Sequence, residues 1–356
     1  MSPISAVAAC DRRNWMRWSA RPNKPRRAAL KIEVDPPRPP SLTAEYIRSV
    51  WEFLQPHVVP TVLVHAEALD DAVGARVTLA CETFQRTGSF KFRGAYNLLR
   101  SIPQTAIVSA SSGNFGQAVA LAARMLGKRC TVVMPDSSSR VKVEAVRRNG
   151  AAVELVATRA ISRMERIRQL LAEDPARFYA PAFDDVRVVA GNSSLGREIV
   201  QSGMEFDAVI VPVGGGGLIS GIITARDTLG SGTSIYGAEP ALGNDAARSF
   251  RSGTLIANEM EPPTIADGAR TLSLGEVTWP IVRRGVEDIV EVPEEQIAEA
   301  MRLLFRFANV KAEPTGALSL GAVLANNRLA GKHVCCVISG GNVDEELYAA
   351  VLRKEM

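Results

Sequence analysis

The chain has 356 residues, 46% of them hydrophobic, a length that suggests about two domains and an apolar share that supports a sizeable core. No apolar run reaches the roughly 18 residues of a membrane-crossing helix, which argues against a helical membrane protein and for a soluble, cytoplasmic one. The net charge is +4, but eight basic residues and a single acid fall at or before Lys31, so the remainder carries −3 and its charge gives no argument for nucleic-acid binding.

Residues 1–40 are rich in arginine and close on Pro36-Pro37-Arg38-Pro39-Pro40. They lack the continuous apolar stretch of a secretory signal. Their composition is that of a disordered extension, although an organelle-targeting segment shares it. Ile47, Val50, Trp51 and Leu54 recur at helical spacing and predict an amphipathic helix over 42–55. Val77–Cys81 reads as a strand leading to the turn Thr87-Gly88-Ser89 and to Lys91. Ala106–Ala110, Cys130–Met134 and Ala152–Val156 read as short buried strands. Helices after Asn114, over Ser139–Asn149 and over Ala160–Leu171 separate and follow them. Beyond Gly191 a helix is expected to Gln201, then a strand over 208–213, a helix from Leu218 and a strand over Ser234–Glu239. Ile265–Arg270 reads as a loop with a positive φ at Gly268. Further strands are expected over Val286–Val292 and 333–338, with helices from Glu294 and over 316–329 between them. Short apolar strands alternating with helices mean βαβ units and a parallel sheet. The five cysteines, Cys10, Cys81, Cys130, Cys335 and Cys336, form no CxxC pair, and four lie in apolar settings, as buried thiols do.

Four stretches carry chemistry, and a fifth offers metal ligands. Lys91 stands between Phe90 and Phe92; dehydration there would lower its pKa, and Arg86 and Arg93 would push the same way. The same stretch also fits a surface lysine whose stem covers apolar residues. Ser111-Ser112-Gly113-Asn114-Phe115-Gly116-Gln117 follows a strand and opens a helix, a place for an anion or simply an N-cap. Gly214-Gly215-Gly216-Gly217 sits between a strand and a helix, where successive amides and the helix terminus suit a phosphate. Its spacing is not G-x-G-x-x-G, so a free-standing phosphate fits better than a dinucleotide. Ser339 ends the last strand and opens Ser339-Gly340-Gly341-Asn342; on its own it could be a turn serine. Glu239, Gly243 and Asp245 offer an all-oxygen set suited to Mg²⁺ or Ca²⁺, or a solvated acidic loop.

The stretches at Lys91, Ser111–Gln117, Gly214–Gly217 and Ser339–Asn342, in this order, resemble the fold-type II pyridoxal-phosphate (PLP) enzymes, and within them the serine/threonine dehydratase and serine racemase branch, a resemblance that runs from about Ser41 to the C-terminus. The resemblance implies an α/β, tryptophan synthase β-like architecture of open, twisted, mostly parallel sheets flanked by helices. A large domain over 41–104 and 186–356 would carry an inserted small domain over 105–185. It implies that Lys91 carries PLP covalently and acts as a base. The amides of Gly214, Gly215, Gly216, Gly217 and Leu218 would hold the PLP phosphate. Ser339 would face the ring nitrogen and Asn114 the ring hydroxyl. Ser111, Ser112, Gly113, Asn114 and Gln117 would bind the substrate. In the racemase branch a serine at the position of Ser112 is the base on the opposite face. The spacing of Glu239, Gly243 and Asp245 matches a divalent-metal site of that branch. Phe115, where the family usually has His, and Asn192-Ser193-Ser194, where it has Gln-Gly-Thr, are departures that bear on substrate choice.

The expected activity is α,β-elimination of water from L-threonine or L-serine, giving a 2-oxo acid and ammonia. A serine racemase and a 3-hydroxyaspartate ammonia-lyase use the same residues. A phosphate-ligand binding protein is the non-enzymatic alternative. The expected partners are a small amino-acid substrate and a second copy in a homodimer, with neither nucleic acid nor membrane.

Overall fold

The computed structural model describes residues 41–111 and 113–355. The N-terminal extension, Cys10 and Ser112 lie outside the described residues. In chain order the strands are β1 (Val62–His65), β2 (Arg76–Cys81), β3 (Ala106–Ala110), β4 (Arg129–Pro135), β5 (Ala152–Val156), β6 (Arg177–Tyr179), β7 (Ala208–Pro212), β8 (Ser234–Pro240), β9 (Asp288–Val292) and β10 (His333–Ile338). They form two sheets, a six-stranded one in the order β1-β2-β10-β7-β8-β9 and a four-stranded one in the order β5-β4-β3-β6. Every pairing is parallel except β1 with β2. The molecule therefore has the mostly parallel α/β architecture expected. The smaller sheet is drawn wholly from 106–179.

Alternation along the strands divides the core. Val334, Cys336 and Ile338 of β10 enter one apolar cluster together with Leu79 and Ile210, whereas Cys335 and Val337 enter another with Ala80, Val209 and Val211. The six-stranded sheet is thus apolar on both faces, as a buried parallel sheet must be. The four described cysteines are free and buried. Burial pushes the Cys81 and Cys130 thiols up to about 12, which leaves them unreactive.

The helix Ala44–Leu54 buries Ile47, Val50, Trp51 and Leu54, as their spacing requires, and Thr43 caps it by accepting from the Tyr46 amide at 3.2 Å. The helix Val186–Val200 begins five residues before the expected Gly191, because Asp185 caps it by accepting the Arg187 amide at 2.7 Å. Asn192, Ser193 and Ser194 are consequently buried inside a helix and work on the scaffold. Trp51 Nε1 donates to Ser193 Oγ at 2.8 Å, Arg93 donates to Ser194 Oγ at 3.0 Å, and Asn192 Nδ2 donates to the Gly217 carbonyl at 3.0 Å. Several short elements, β1, β6 and the helices Glu67–Val73, Asp245–Ser252, Thr278–Gly285 and Glu345–Arg353, were not expected from the sequence. Gly268 does not have the positive φ expected of it. It is confined by space: a Cβ there would lie 2.9 Å from Thr315 Oγ1, the atom that accepts the Gly268 amide at 3.0 Å.

Arg93, on the helix Lys91–Arg100, is fully buried and holds the base of this helix. Its guanidinium donates to Glu82 at 2.7 and 2.9 Å, to Glu198 at 2.9 Å through each of two nitrogens, and to Thr61 Oγ1 at 2.9 Å. Removing the cation leaves the Glu82 carboxylate buried without its partner, a loss of roughly 3–5 kcal/mol. Thermal unfolding followed by circular dichroism is expected to show a large fall in Tm for Arg93→Met. No change is expected for Arg140→Ala, whose partner Glu144 lies on an exposed helix surface. Equal midpoints for the two variants would contradict this account of the helix anchor.

Candidate active site

Parallel pairing brings the chemistry-bearing stretches to one pole. Ile338 lies opposite Cys81, and Cys336 opposite Ile210, so β2, β10 and β7 end on the same edge of the sheet. The chain leaves β2 for Lys91, leaves β10 for Ser339 and leaves β7 for the glycine run. From the four-stranded sheet, β3 ends at Ala110 and delivers Ser111–Asn114. This is the general position of ligands in open α/β sheets, beyond the carboxyl ends of the strands.

Lys91 is the first residue of its helix and lines a cavity of about 570 Å³. Its Nζ lies 4.8 Å from the centre of the Phe90 ring. Phe92 does not share in this contact: it is fully buried and stacks on Tyr96 at 5.2 Å. Arg93 does not repel the amine, because two carboxylates neutralise it and it lies roughly 200° further around the helix from Lys91. Burial lowers the Lys91 pKa to about 8, against the opposing pull of Glu313. Burial and the neighbouring Asp267 push Glu313 up to about 8.

A chain of hydrogen bonds ties three strand ends together. Asn342 Nδ2 donates to the Thr87 carbonyl and to Asn114 Oδ1, both at 2.7 Å, and Asn114 Nδ2 donates to Glu313 Oε1 at 2.7 Å. Backbone bonds reinforce it: Phe90 N–H to the Ser339 carbonyl at 3.0 Å, Gly341 N–H to Gly88 at 3.0 Å and Glu313 N–H to Gly340 at 3.1 Å. Ser339 is buried between these segments. The structure thus assembles Lys91, Asn114 and Ser339, with Ser111, Gly113 and Gln117 on the cavity wall. Glu313 and Asn342 complete the assembly.

The glycine run curls over the start of the helix Gly217–Leu229. The Gly216 amide donates to the Val213 carbonyl at 3.0 Å, while the amides of Gly214, Gly215, Gly217 and Leu218 have no backbone acceptor among the described residues. Phe183 packs flat against this loop, and a Cβ on Gly215 would lie 2.5 Å from its ring. The Gly215 carbonyl is fixed by Thr278 Oγ1 at 2.8 Å. Four free amides at a helix N-terminus, in a loop where Gly215, Gly216 and Gly217 have no room for a Cβ and Gly214 has a positive φ, fit a dianionic phosphate. The glycine run does not itself line the Lys91 cavity, but Phe183 lines that cavity and packs on the run, and an enclosed lysine on the same pole fits the aldehyde of the same molecule.

The expected Mg²⁺ or Ca²⁺ site gains no support. Both oxygens of Glu239 are engaged by the amides of Ala247 and Ala246, at 2.6 and 3.2 Å, so Glu239 caps the helix Asp245–Ser252. Asp245 accepts from Asn258 Nδ2 at 2.8 Å. Burial pushes Glu239 up to about 8 and Asp245 up to about 7, disfavouring the charged forms that a cation needs. Gly243 is held against Pro262. Among the described residues no three or more His, Cys, Asp or Glu side chains cluster as metal ligands do.

Comparison with known proteins agrees with this geometry. Residues 54–340 match the family model described as pyridoxal-phosphate dependent enzyme. The chain is 39% identical over 298 residues to an L-threo-3-hydroxyaspartate ammonia-lyase from a Pseudomonas species, covering 82% of this chain and 93% of that one. It is 36% identical to a serine racemase of Arabidopsis thaliana, covering 84% of this chain and 92% of the other. The crystal structure of a T.th. threonine deaminase superposes with a TM-score of 0.80 at 39% identity, over 86% of this chain and 99% of that one. The chain belongs to the PLP-dependent enzymes of fold type II, in the group that contains ammonia-lyases and racemases.

An amine forms a covalent link to an aldehyde only when neutral. Lowering the Lys91 pKa to about 8 therefore makes reconstitution possible near neutrality. The rate at which apoprotein gains the visible absorbance of bound PLP is expected to rise roughly tenfold or more from pH 6.5 to 8.5 and then level off. A rate that keeps climbing to about pH 10, as for an unperturbed lysine, would contradict the assignment.

Proposed function

We propose that this protein is an ammonia-lyase that removes water from a β-hydroxy α-amino acid, releasing a 2-oxo acid and ammonia. The observation that carries this is the enclosed Lys91 amine on the same pole as the free amides of the glycine run and the N-terminus of the helix Asn114–Met125. PLP, when bound, supplies an electron sink for the charge that develops at Cα. Lys91 would hold it, and the amides of Gly214, Gly215, Gly217 and Leu218 would hold its phosphate. Ser339 and Asn114 would face its ring. A hydroxyl at Ser339 would not keep the ring nitrogen protonated as a carboxylate would, so the ring would be a weaker electron sink, which favours prompt loss of a β-leaving group.

The chain's own residues do the rest. The substrate's α-carboxylate sits on the Ser111 hydroxyl and the amides that open the helix at Asn114, where the helix dipole favours an anion. Lys91, once released, takes the Cα proton, and its lowered pKa keeps a useful fraction neutral for that task. The β-hydroxyl leaves and, with one proton, becomes water. The unsaturated amine left behind hydrolyses to the 2-oxo acid and ammonia. L-serine, L-threonine and 3-hydroxyaspartate, the substrate named for the Pseudomonas relative, are the candidate substrates.

Purified holoenzyme incubated with each of the three is expected to release keto acid and ammonia in equal amounts, with Lys91→Ala at least roughly a hundredfold slower. Elimination by Lys91→Ala at the wild-type rate would overturn the mechanism. Formation of the D-isomer with no keto acid would assign the site to racemisation instead.

A further inference from the structure

Six cations and four carboxylic acids line the cavity, so it carries a positive surplus before any substrate arrives. Lys91 is committed to PLP, and two of the other cations have acidic partners. Burial alone would lower the Lys142 pKa, but its ion pairs with Asp267 at 3.1 Å and Asp344 at 3.7 Å raise it. Arg163 faces Glu261 at 3.5 Å. Arg148, Lys311 and Arg270 have no carboxylate partner among the described residues, and of these three Arg270 is the one whose side chain is held by hydrogen bonds. Its Nε and Nη2 both donate to the carbonyl of buried Thr264, the first at 2.8 Å, and no carboxylate pairs with it among the described residues. Its charge is therefore fixed in place yet uncompensated, with Nη1 left to donate.

The next residue supplies a second unmet donor. Thr271 lines the same cavity, and its hydroxyl is buried with no hydrogen-bond partner. A buried unpaired hydroxyl requires a reason, and a ligand group is one. The loop bearing both residues is rigid. Ala266 and Ala269 are buried, Gly268 is fixed to Thr315, and the Asn258 amide closes the loop on the Leu272 carbonyl at 2.7 Å. An arginine held by its own backbone neighbours and flanked by a hydroxyl is well suited to a carboxylate, which accepts from both. The α-carboxylate already has the Ser111–Asn114 loop, so the carboxylate read here is a second one.

We propose that Arg270 and Thr271 form a subsite for a carboxylate on the substrate's β-carbon, selecting acidic β-hydroxy amino acids of aspartate's length over L-serine and L-threonine. The selectivity follows from a fixed charge and a buried unmet donor: a substrate lacking the second carboxylate leaves the solvent-exposed Arg270 charge uncompensated and the Thr271 hydroxyl unpaired. The identity of the substrate class rests on the lyase chemistry above, but the subsite itself can be tested without it.

The test uses the PLP-loaded protein and two non-reacting probes of equal chain length, succinate with two carboxylates and butyrate with one, measured by calorimetry. Wild type is expected to bind succinate at least roughly tenfold more tightly than butyrate. Arg270→Ala is expected to remove that preference to within about twofold while leaving butyrate binding unchanged, and Thr271→Val to weaken succinate by about threefold to tenfold. Arg270→Lys, which keeps the charge and loses the fork, is expected to fall between and guards against a folding artefact. In turnover, Arg270→Ala is expected to lower kcat/KM for L-threo-3-hydroxyaspartate at least roughly tenfold, chiefly through KM, with L-serine changed less than about twofold. Unchanged succinate binding by Arg270→Ala, or equal losses for both probes, would overturn the subsite. If wild type makes no keto acid yet Arg270→Ala still abolishes the succinate preference, the reaction assignment falls and the subsite stands.

Discussion

Everything in this molecule depends on keeping one amine out of water without giving it a strong counter-ion. Lys91 begins a helix, so its ammonium would sit at the positive end of the helix dipole, and the wall around it is the ring of Phe90 and the enclosed Glu313. Glu313 could have stabilised the charged form. Instead, burial and Asp267 push the acid upward, and Asn114 donates to its Oε1. The lowered pKa of the amine raises its neutral fraction, which serves it as a nucleophile and later as a base.

That placement is a product of parallel strands. β2, β10 and β7 are neighbours in register, so the segments leaving their carboxyl ends meet without any long connection having to reach across. The Asn342–Asn114–Glu313 chain then locks the two sheets' contributions together at hydrogen-bond distance. Arg93 secures the helix beneath Lys91 from the opposite side, with its full set of donors satisfied by Glu82, Glu198, Ser194, Thr61 and the Val59 carbonyl. Many hydrogen bonds fix the surroundings of Lys91, and the loop Thr264–Thr271, on which selectivity is proposed to rest, packs beside the cavity.

Much of this was legible in the sequence because it is local. The glycine run between a strand and a helix, the serine-asparagine opening of a helix after β3 and the turn before Lys91 are all short-range signals, and the strands they follow are apolar runs. What was not legible is long-range. Nothing in the sequence places Phe183 against Gly215 or Asn192 under the Gly217 carbonyl, because those contacts join segments 25 to 32 positions apart. Arg93 was expected to repel Lys91 because it is two residues away, yet a helix turns that proximity into opposite directions. Glu239 and Asp245 looked like metal ligands by spacing alone; the structure spends both oxygens of Glu239 on capping a helix that was itself too short to announce its presence. Arg270 and Thr271 lie in a loop without periodicity, where only the fold reveals which side chains face the cavity.

Three lysines line the cavity, Lys91, Lys142 and Lys311, and the central claim is that only the first is built to carry the cofactor. Borohydride reduction of the PLP-loaded protein, followed by peptide mass mapping, distinguishes them directly. The account predicts a single phosphopyridoxyl group on Lys91. A group on Lys142 or Lys311, or one spread among surface lysines, would contradict it.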